Sequence, residues 1–246
     1  MIRRGLLISI ARASRAAGPP GERLARYAFG HARTLPRKDR LAPPDSTPLA
    51  GLAATVVDCE TTGLDPRRDR VVALAALRFH GPAHAPDAVF DTLVDPGMPI
   101  AARATAVHGI TDAMVAGAPG FRAAARQLAP LLRGAVLVGH AVAFDRAMLA
   151  SEARRVALPW RDPPALCTRE LAAALLPSDA GLELEQLADR FGVAVTGRHT
   201  ALGDAVAAAR IFAALLRRAE AAEAVTLGAL RALAEEGHRR LLRRYG

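Results

Sequence analysis

The stretch Thr55–Pro66, TVVDCETTGLDP, decides how the rest of the chain is read. Its apolar run ends in Asp58 and Glu60, one residue apart. Side chains alternate faces along a strand, so both carboxylates project to one face. Like charges that close repel, and each costs free energy to desolvate. A cation between them removes the conflict, and hard oxygen ligands suit Mg²⁺ or Mn²⁺. A solvated strand end with two harmless carboxylates would explain the same residues. The remainder of the chain has to separate these readings.

Working outward, turn signals at Gly63–Pro66 and Gly81–Pro86 divide three apolar runs. Ala53–Cys59, Asp69–His80 and Ala88–Pro96 read as strands of an antiparallel meander. A short strand is expected at Ala135–His140. Helical patterns cover Gly120–Arg133, Ala143–Val156, Thr168–Leu176, Glu183–Phe191 and Thr200–Arg218. A last helix near Val225–Arg243 looks like an appendage. Residues 1–51 read as a basic helix followed by a Pro-rich linker. The chain thus divides into an N-terminal extension (1–51), a central domain (52–218) and a C-terminal basic helix (219–246). Strands followed by mixed elements indicate an α/β layer fold with a mixed sheet.

The 246 residues, 51% hydrophobic, suit one globular domain with extensions. No apolar run approaches the ~18 residues of a membrane helix. The opening MIRRGLLISIARASRA imitates a secretory signal, but Arg12 interrupts a short apolar run, which favours an amphipathic basic helix. Cys59 and Cys167 form no C-x-x-C pair, and a reducing cytoplasm is the simplest setting. The net charge of +9 is uneven. Residues 1–50 carry ten Lys/Arg against three Asp/Glu, and residues 217–246 carry seven against four. With +7 and +3 at the ends, residues 51–216 are left with −1. Basic ends suit a polyanionic partner, nucleic acid or an anionic membrane surface, although a solubilising tail has the same composition.

Two further acidic segments stand out. In LVGHAVAFDRAML (Leu137–Leu149), Asp145 lies early in a helix, flanked by His140 and Phe144. An acid there also complements the helix dipole. In GRHTALGDAVAAARIF (Gly197–Phe212), His199 precedes a helix that contains Asp204. Thr200 and Asp204 share a helical face, and Thr200 suits an N-cap. Surface decoration would explain this pair taken alone.

In order the segments give D-x-E-T-T-G-L, H-x-x-x-F-D and R-H-x-A-L-x-D-A. This resembles the DEDDh group of 3′→5′ exonucleases, the family of the DNA polymerase III epsilon proofreading subunit. The resemblance spans Ala53 to Leu216, and AVHGIT (Ala106–Thr111) matches an H-G-I-T stretch common between the first and second motifs. It implies the ribonuclease H-like fold, a five-stranded mixed sheet flanked by helices. Asp58, Glu60, Asp145 and Asp204 then resemble four carboxylates that gather two Mg²⁺ (or Mn²⁺) at the scissile phosphate. His199 resembles the general base, mobile beside a fixed ligand, and imidazole suits that role near neutral pH.

The implied substrate is a nucleic acid with a free 3′ end, DNA favoured and RNA possible, cut to nucleoside 5′-monophosphates. Thr61, Thr62, Gly63 and Leu64 would bind the terminal nucleotide, with His108, His140 and Phe144 near it. Leu64 packed under a turn, Phe144 in the core and His108 as a loop support are the structural alternatives. Family members commonly carry Asn where this chain has Ala141, which puts one substrate contact in doubt. The competing functions are an RNA-trimming or oligoribonucleotide-degrading enzyme, and a silent nucleic-acid-binding or polymerase-docking module. No polymerase partner is legible.

Overall fold

The computed structural model describes residues 42–82, 85–177 and 181–245. The expected N-terminal basic helix lies outside the described residues. Five strands, β1 (Ala53–Thr61), β2 (Val71–His80), β3 (Ala88–Leu93), β4 (Val136–Gly139) and β5 (Ala165–Cys167), form one mixed sheet in the order β3-β2-β1-β4-β5. The meander β1–β2–β3 is antiparallel, whereas β4 and β5 run parallel to β1. Parallel neighbours need crossovers, and helices supply them. Between β3 and β4 lie α1 (Ala102–His108), α2 (Asp112–Val115) and α3 (Phe121–Leu132). Between β4 and β5 lies α4 (Ala143–Arg155). Then follow α5 (Thr168–Leu175), α6 (Leu184–Arg190), α7 (Ala201–Ala221) and α8 (Leu227–Tyr245). This is the expected five-stranded mixed sheet flanked by helices.

β1 shows why the acids face where they do. Val57 and Cys59 join the apolar layer under α3 and α4. Ala54 and Val56 join the layer under α7. By the same alternation Asp58 and Glu60 belong to the α7 side. α7 comes close to the sheet because its inner face is mostly small: Ala201, Ala205, Ala208 and Ala209 are all buried. The β1–β2 ladder is irregular between Glu60 and Thr61, which breaks the pairing where the carboxylates emerge.

The C-terminal helix does not stand off as an appendage. A Cβ on Gly237 would lie 1.8 Å from the Glu170 carbonyl, so α8 crosses α5 with backbone almost in contact. Arg240 donates to the Ala173 carbonyl at the end of α5 (3.2 Å). The end of the Pro-rich stretch is also ordered. The Leu49 amide donates to Val225, and the Leu227 and Gly228 amides donate to Thr47 and Asp45. Leu49 is fully buried. Burying apolar side chains such as Leu227 and Leu230 outweighs leaving the helix free, and the sequence reading underrated that face.

Candidate active site

Three of the expected carboxylates converge. Asp58 and Glu60 come from the end of β1. Asp204 comes from the first turn of α7, whose start is fixed by Thr200, its hydroxyl accepting from the Gly203 amide (3.1 Å). Each of the three offers an oxygen, and these oxygens lie within 4.8 Å of one another. Asp145, in the first turn of α4, stands beside the trio. Its Oδ1 accepts the Cys59 amide at 3.0 Å, which ties α4 to β1 and turns one oxygen toward backbone.

The electrostatics record the crowding. Burial, then Asp145, Asp204 and Glu60, hold the Asp58 carboxyl well above the usual carboxylate range. Burial and then Asp204 push Glu60 up to about 7. Burial pushes Asp145 up to about 7 against the opposing pull of its Cys59 bonds. Burial raises Asp204, while Arg198 and His199 oppose it. Asp204 Oδ1 is buried and has no hydrogen-bond partner. Clustered anionic oxygens with one left unsatisfied are the donor set a divalent cation takes. The residues therefore fit a metal site.

Arg198 stands in the third sequence motif, and its partner Glu185 lies outside all of them. The Arg198 guanidinium donates to Asp204 and to Glu185, and lies 3.3 Å from His199 Nδ1. Glu185 sits in α6, thirteen residues before Arg198, and no local pattern announces such a pair. His199 is half-buried with φ +58°. Thr200 Oγ1 donates to the Gly197 carbonyl (2.6 Å), and Gly203 packs on that same carbonyl.

The other expected residues divide. Thr61 and Thr62 are buried, and their hydroxyls shape the loop by bonding Gly63 O (2.6 Å) and Asp69 Oδ1 (3.1 Å). A Cβ on Gly63 would meet the Asp69 carboxylate at 2.5 Å, so a side chain there would displace the group that bonds Thr62 and the Asp65 amide. Leu64 is 81% exposed, so it does not pack beneath the turn. His108 accepts the Ile110 amide at Nδ1 (3.0 Å), which leaves the proton on Nε2 to donate to Thr61 O (3.2 Å). Both nitrogens are engaged, so His108 holds the end of β1 and offers none to a ligand. Phe144 packs with the apolar layer of α3 and α4. His140 bonds Thr168 through Nδ1 (3.0 Å), and its buried Nε2 has no partner. Burial, then Arg169 and Arg198, push His140 down to about 4.

Ala141, where the resemblance leads one to expect Asn, has φ +55°. Asn tolerates this left-handed region better than other non-Gly residues. The position therefore makes a backbone demand of its own.

The exonuclease family model matches residues 55–212, which include Asp58, Glu60, Asp145, His199 and Asp204. A DNA polymerase III subunit epsilon-like protein of Rhodobacter capsulatus is 42% identical over 75% of this chain and 26% of its own length. The chain thus spans about a quarter of that relative. DNA polymerase III subunit epsilon of Aquifex aeolicus is 33% identical over 65% of this chain and 79% of its own. Among solved structures, E. coli exonuclease I with a dT13 oligonucleotide superposes with a TM-score of 0.61 at 20% identity, over 70% of this chain and 42% of that one. That likeness concerns the fold. The family match, laid over carboxylates already gathered at one sheet end, leaves no doubt of lineage: this chain belongs to the exonuclease family.

Proposed function

We propose that the chain is a metal-dependent 3′→5′ exonuclease that releases nucleoside 5′-monophosphates from nucleic-acid ends. One observation carries the reading. Asp58, Glu60 and Asp204 bring anionic oxygens within 4.8 Å of one another, beside Asp145 and at the rim held by His199.

Asp58, Glu60 and Asp204 would hold the cations, two Mg²⁺ or Mn²⁺, with Asp145 completing the set. Bound there, the metals would activate water and stabilise the leaving oxyanion. His199 takes the proton of the attacking water at a ring nitrogen and passes it to solvent. The amides of Gly63 and Leu64, which carry no internal acceptor among the described residues, face the terminal nucleotide. The exposed Leu64 side chain lies against its base. His140 is neutral near pH 7, so it stands beside the site without adding charge to it.

DNA is the favoured substrate, because the relatives reported above carry DNA polymerase III names. A reducing cytoplasm is the proposed setting, consistent with two free buried cysteines. Among the described residues no helix is long and apolar enough to cross a membrane. The test is digestion of matched labelled DNA and RNA, single- and double-stranded, with Mg²⁺ and with Mn²⁺. Stepwise loss from the 3′ end that stops with chelator is the expected result. Binding without cleavage would establish the silent docking module instead.

A further inference from the structure

The acid cluster does not account for a strip of arginines on the α3–α4 side. Two shallow grooves lie there. One, of about 430 Å³, is lined by Arg70, Asp95, Arg122, Arg126 and Val156 among others. The other, of about 360 Å³, is lined by Asp65, Arg67, Ser151 and Arg154 among others. A buried clamp ties the two together. Glu152, 1% exposed, accepts Arg70 Nε (2.6 Å) and Arg155 Nη1 (3.4 Å). Arg155 in turn donates to the Asp69 and Pro66 carbonyls (2.8 and 3.1 Å).

The charges do not balance. Glu152 serves two arginines. Asp65 is spent on the Arg67 amide and on Arg68, 3.7 Å away, and Asp95 on the Gly97 amide. Arg122 donates to the Val156 carbonyl, which leaves its charge uncompensated. Among the described residues, Arg67, Arg126 and Arg154 have no side-chain partner. Neither groove is lined by an exposed large apolar residue that could anchor a protein partner or enter a membrane. Excess positive charge without an apolar anchor fits a repeating anion.

We infer that this strip binds the phosphodiester backbone several nucleotides upstream of the 3′ terminus. The inference rests on the acid cluster being the 3′-end site. Arg154 follows Asp145 by nine residues on α4, about 14 Å at ~1.5 Å per residue. A stacked strand advances ~3.4 Å along its axis per nucleotide, so a stacked substrate shorter than about four nucleotides does not reach Arg154.

The experiment uses the full chain, its variant Arg67→Gln/Arg126→Gln/Arg154→Gln, and the corresponding lysine variant. Among the described residues the three side chains make no bonds, so folding should be spared. Specificity constants kcat/KM are measured with Mg²⁺ on labelled oligothymidylates from two to sixteen nucleotides. Binding of the sixteen-mer is followed by anisotropy at several salt concentrations. The parent's kcat/KM should climb beyond about four nucleotides. The glutamine variant should match it on the shortest substrates and fall about fivefold to tenfold on the longest. The lysine variant should recover most of the loss, because phosphate binding needs charge more than a fork. Losing two or three phosphate contacts should lower the salt slope by ~1.4–2.1. A variant-to-parent ratio that is flat with length, or an unchanged salt slope, overturns the strip. So does binding to anionic lipid vesicles that the glutamine variant loses while its oligonucleotide affinity stays intact. If the parent binds the sixteen-mer yet cuts nothing, the reading of the acid cluster fails instead.

Discussion

Arg198 bonds Asp204 and Glu185 with one guanidinium, so a single side chain spans the acid cluster and α6. It is the cation that lowers Asp58, Glu60 and Asp204 against their mutual repulsion. A metal ion on Asp204 competes with it. A guanidinium only donates, so while it lies on His199 Nδ1 the ring proton stands on Nε2, and the imidazole is free to take a proton only once Arg198 has left it. Arg198→Ala should therefore tighten Mn²⁺ binding severalfold in calorimetry. Glu185→Gln should weaken it, because Arg198 then has only Asp204 to hold. Equal affinity in both variants would show that Arg198 never competes for the site.

Removing an acid should separate stability from turnover. Asp58→Asn and Asp204→Asn should abolish hydrolysis and, in chelator, raise the melting temperature. Each kcal/mol of relieved repulsion is worth about 2–4 °C in a chain of this size. Mg²⁺ should stabilise the parent and have little effect on either variant. A parent that hydrolyses substrate at full rate in excess chelator contradicts the metal reading.

His199→Ala should slow single-turnover cleavage by ~10²–10⁴, the usual worth of a positioned base. Its metal titration should follow the parent's. Loss of the metal site in this variant would place His199 among the ligands.

His140 sets a pH dependence that can be isolated. Folded, it titrates near 4, against about 6.5 for an unfolded imidazole. Between these values unfolding takes up a proton. Its contribution is complete above pH 6.5 and is lost as pH falls toward 4. The raised acids work the opposite way, gaining stability on acidification, so a comparison with His140→Gln is needed. Denaturant melts in chelator should show the parent losing on the order of 3 kcal/mol more than the variant between pH 7 and pH 4. Parallel curves would mean that His140 is solvated.

At Ala141 the left-handed backbone costs a residue with a Cβ roughly 1 kcal/mol. Ala141→Asn should recover part of this and raise the melting temperature by about 2 °C. If Asn also restores a substrate contact, KM should fall while kcat holds. A melting temperature lowered by Asn would refute the backbone account.

The fold was largely legible because its signals are local. The meander is marked by turn residues, and α3 and α7 by their periodicity. β5 went unread because three residues, Ala165–Cys167, carry no alternation to detect. α1 and α2, seven and four residues long, are too short for a period. Within the site, Asp58 and Glu60 announced themselves by spacing on one strand. Arg198 with Glu185, and Asp145 with the Cys59 amide, join groups thirteen and eighty-six residues apart. Sequence periodicity carries no record of such meetings. Phe144 and His108 show the converse. Motif position suggested substrate, and packing or a fixed tautomer gave each a structural task.

Gly203 turns the spacing of the site into a matter of backbone thickness. A Cβ there would stand 1.9 Å from the Gly197 carbonyl, so the turn bearing Arg198 and His199 rests directly on the first turn of α7. Asp204 is the next residue along that helix. The gap between His199 and Asp204 is thus gauged by the absence of a side chain, like a shim left out of a mount. Any methyl group added at 203 would lift the imidazole away while leaving every charge in the chain unchanged.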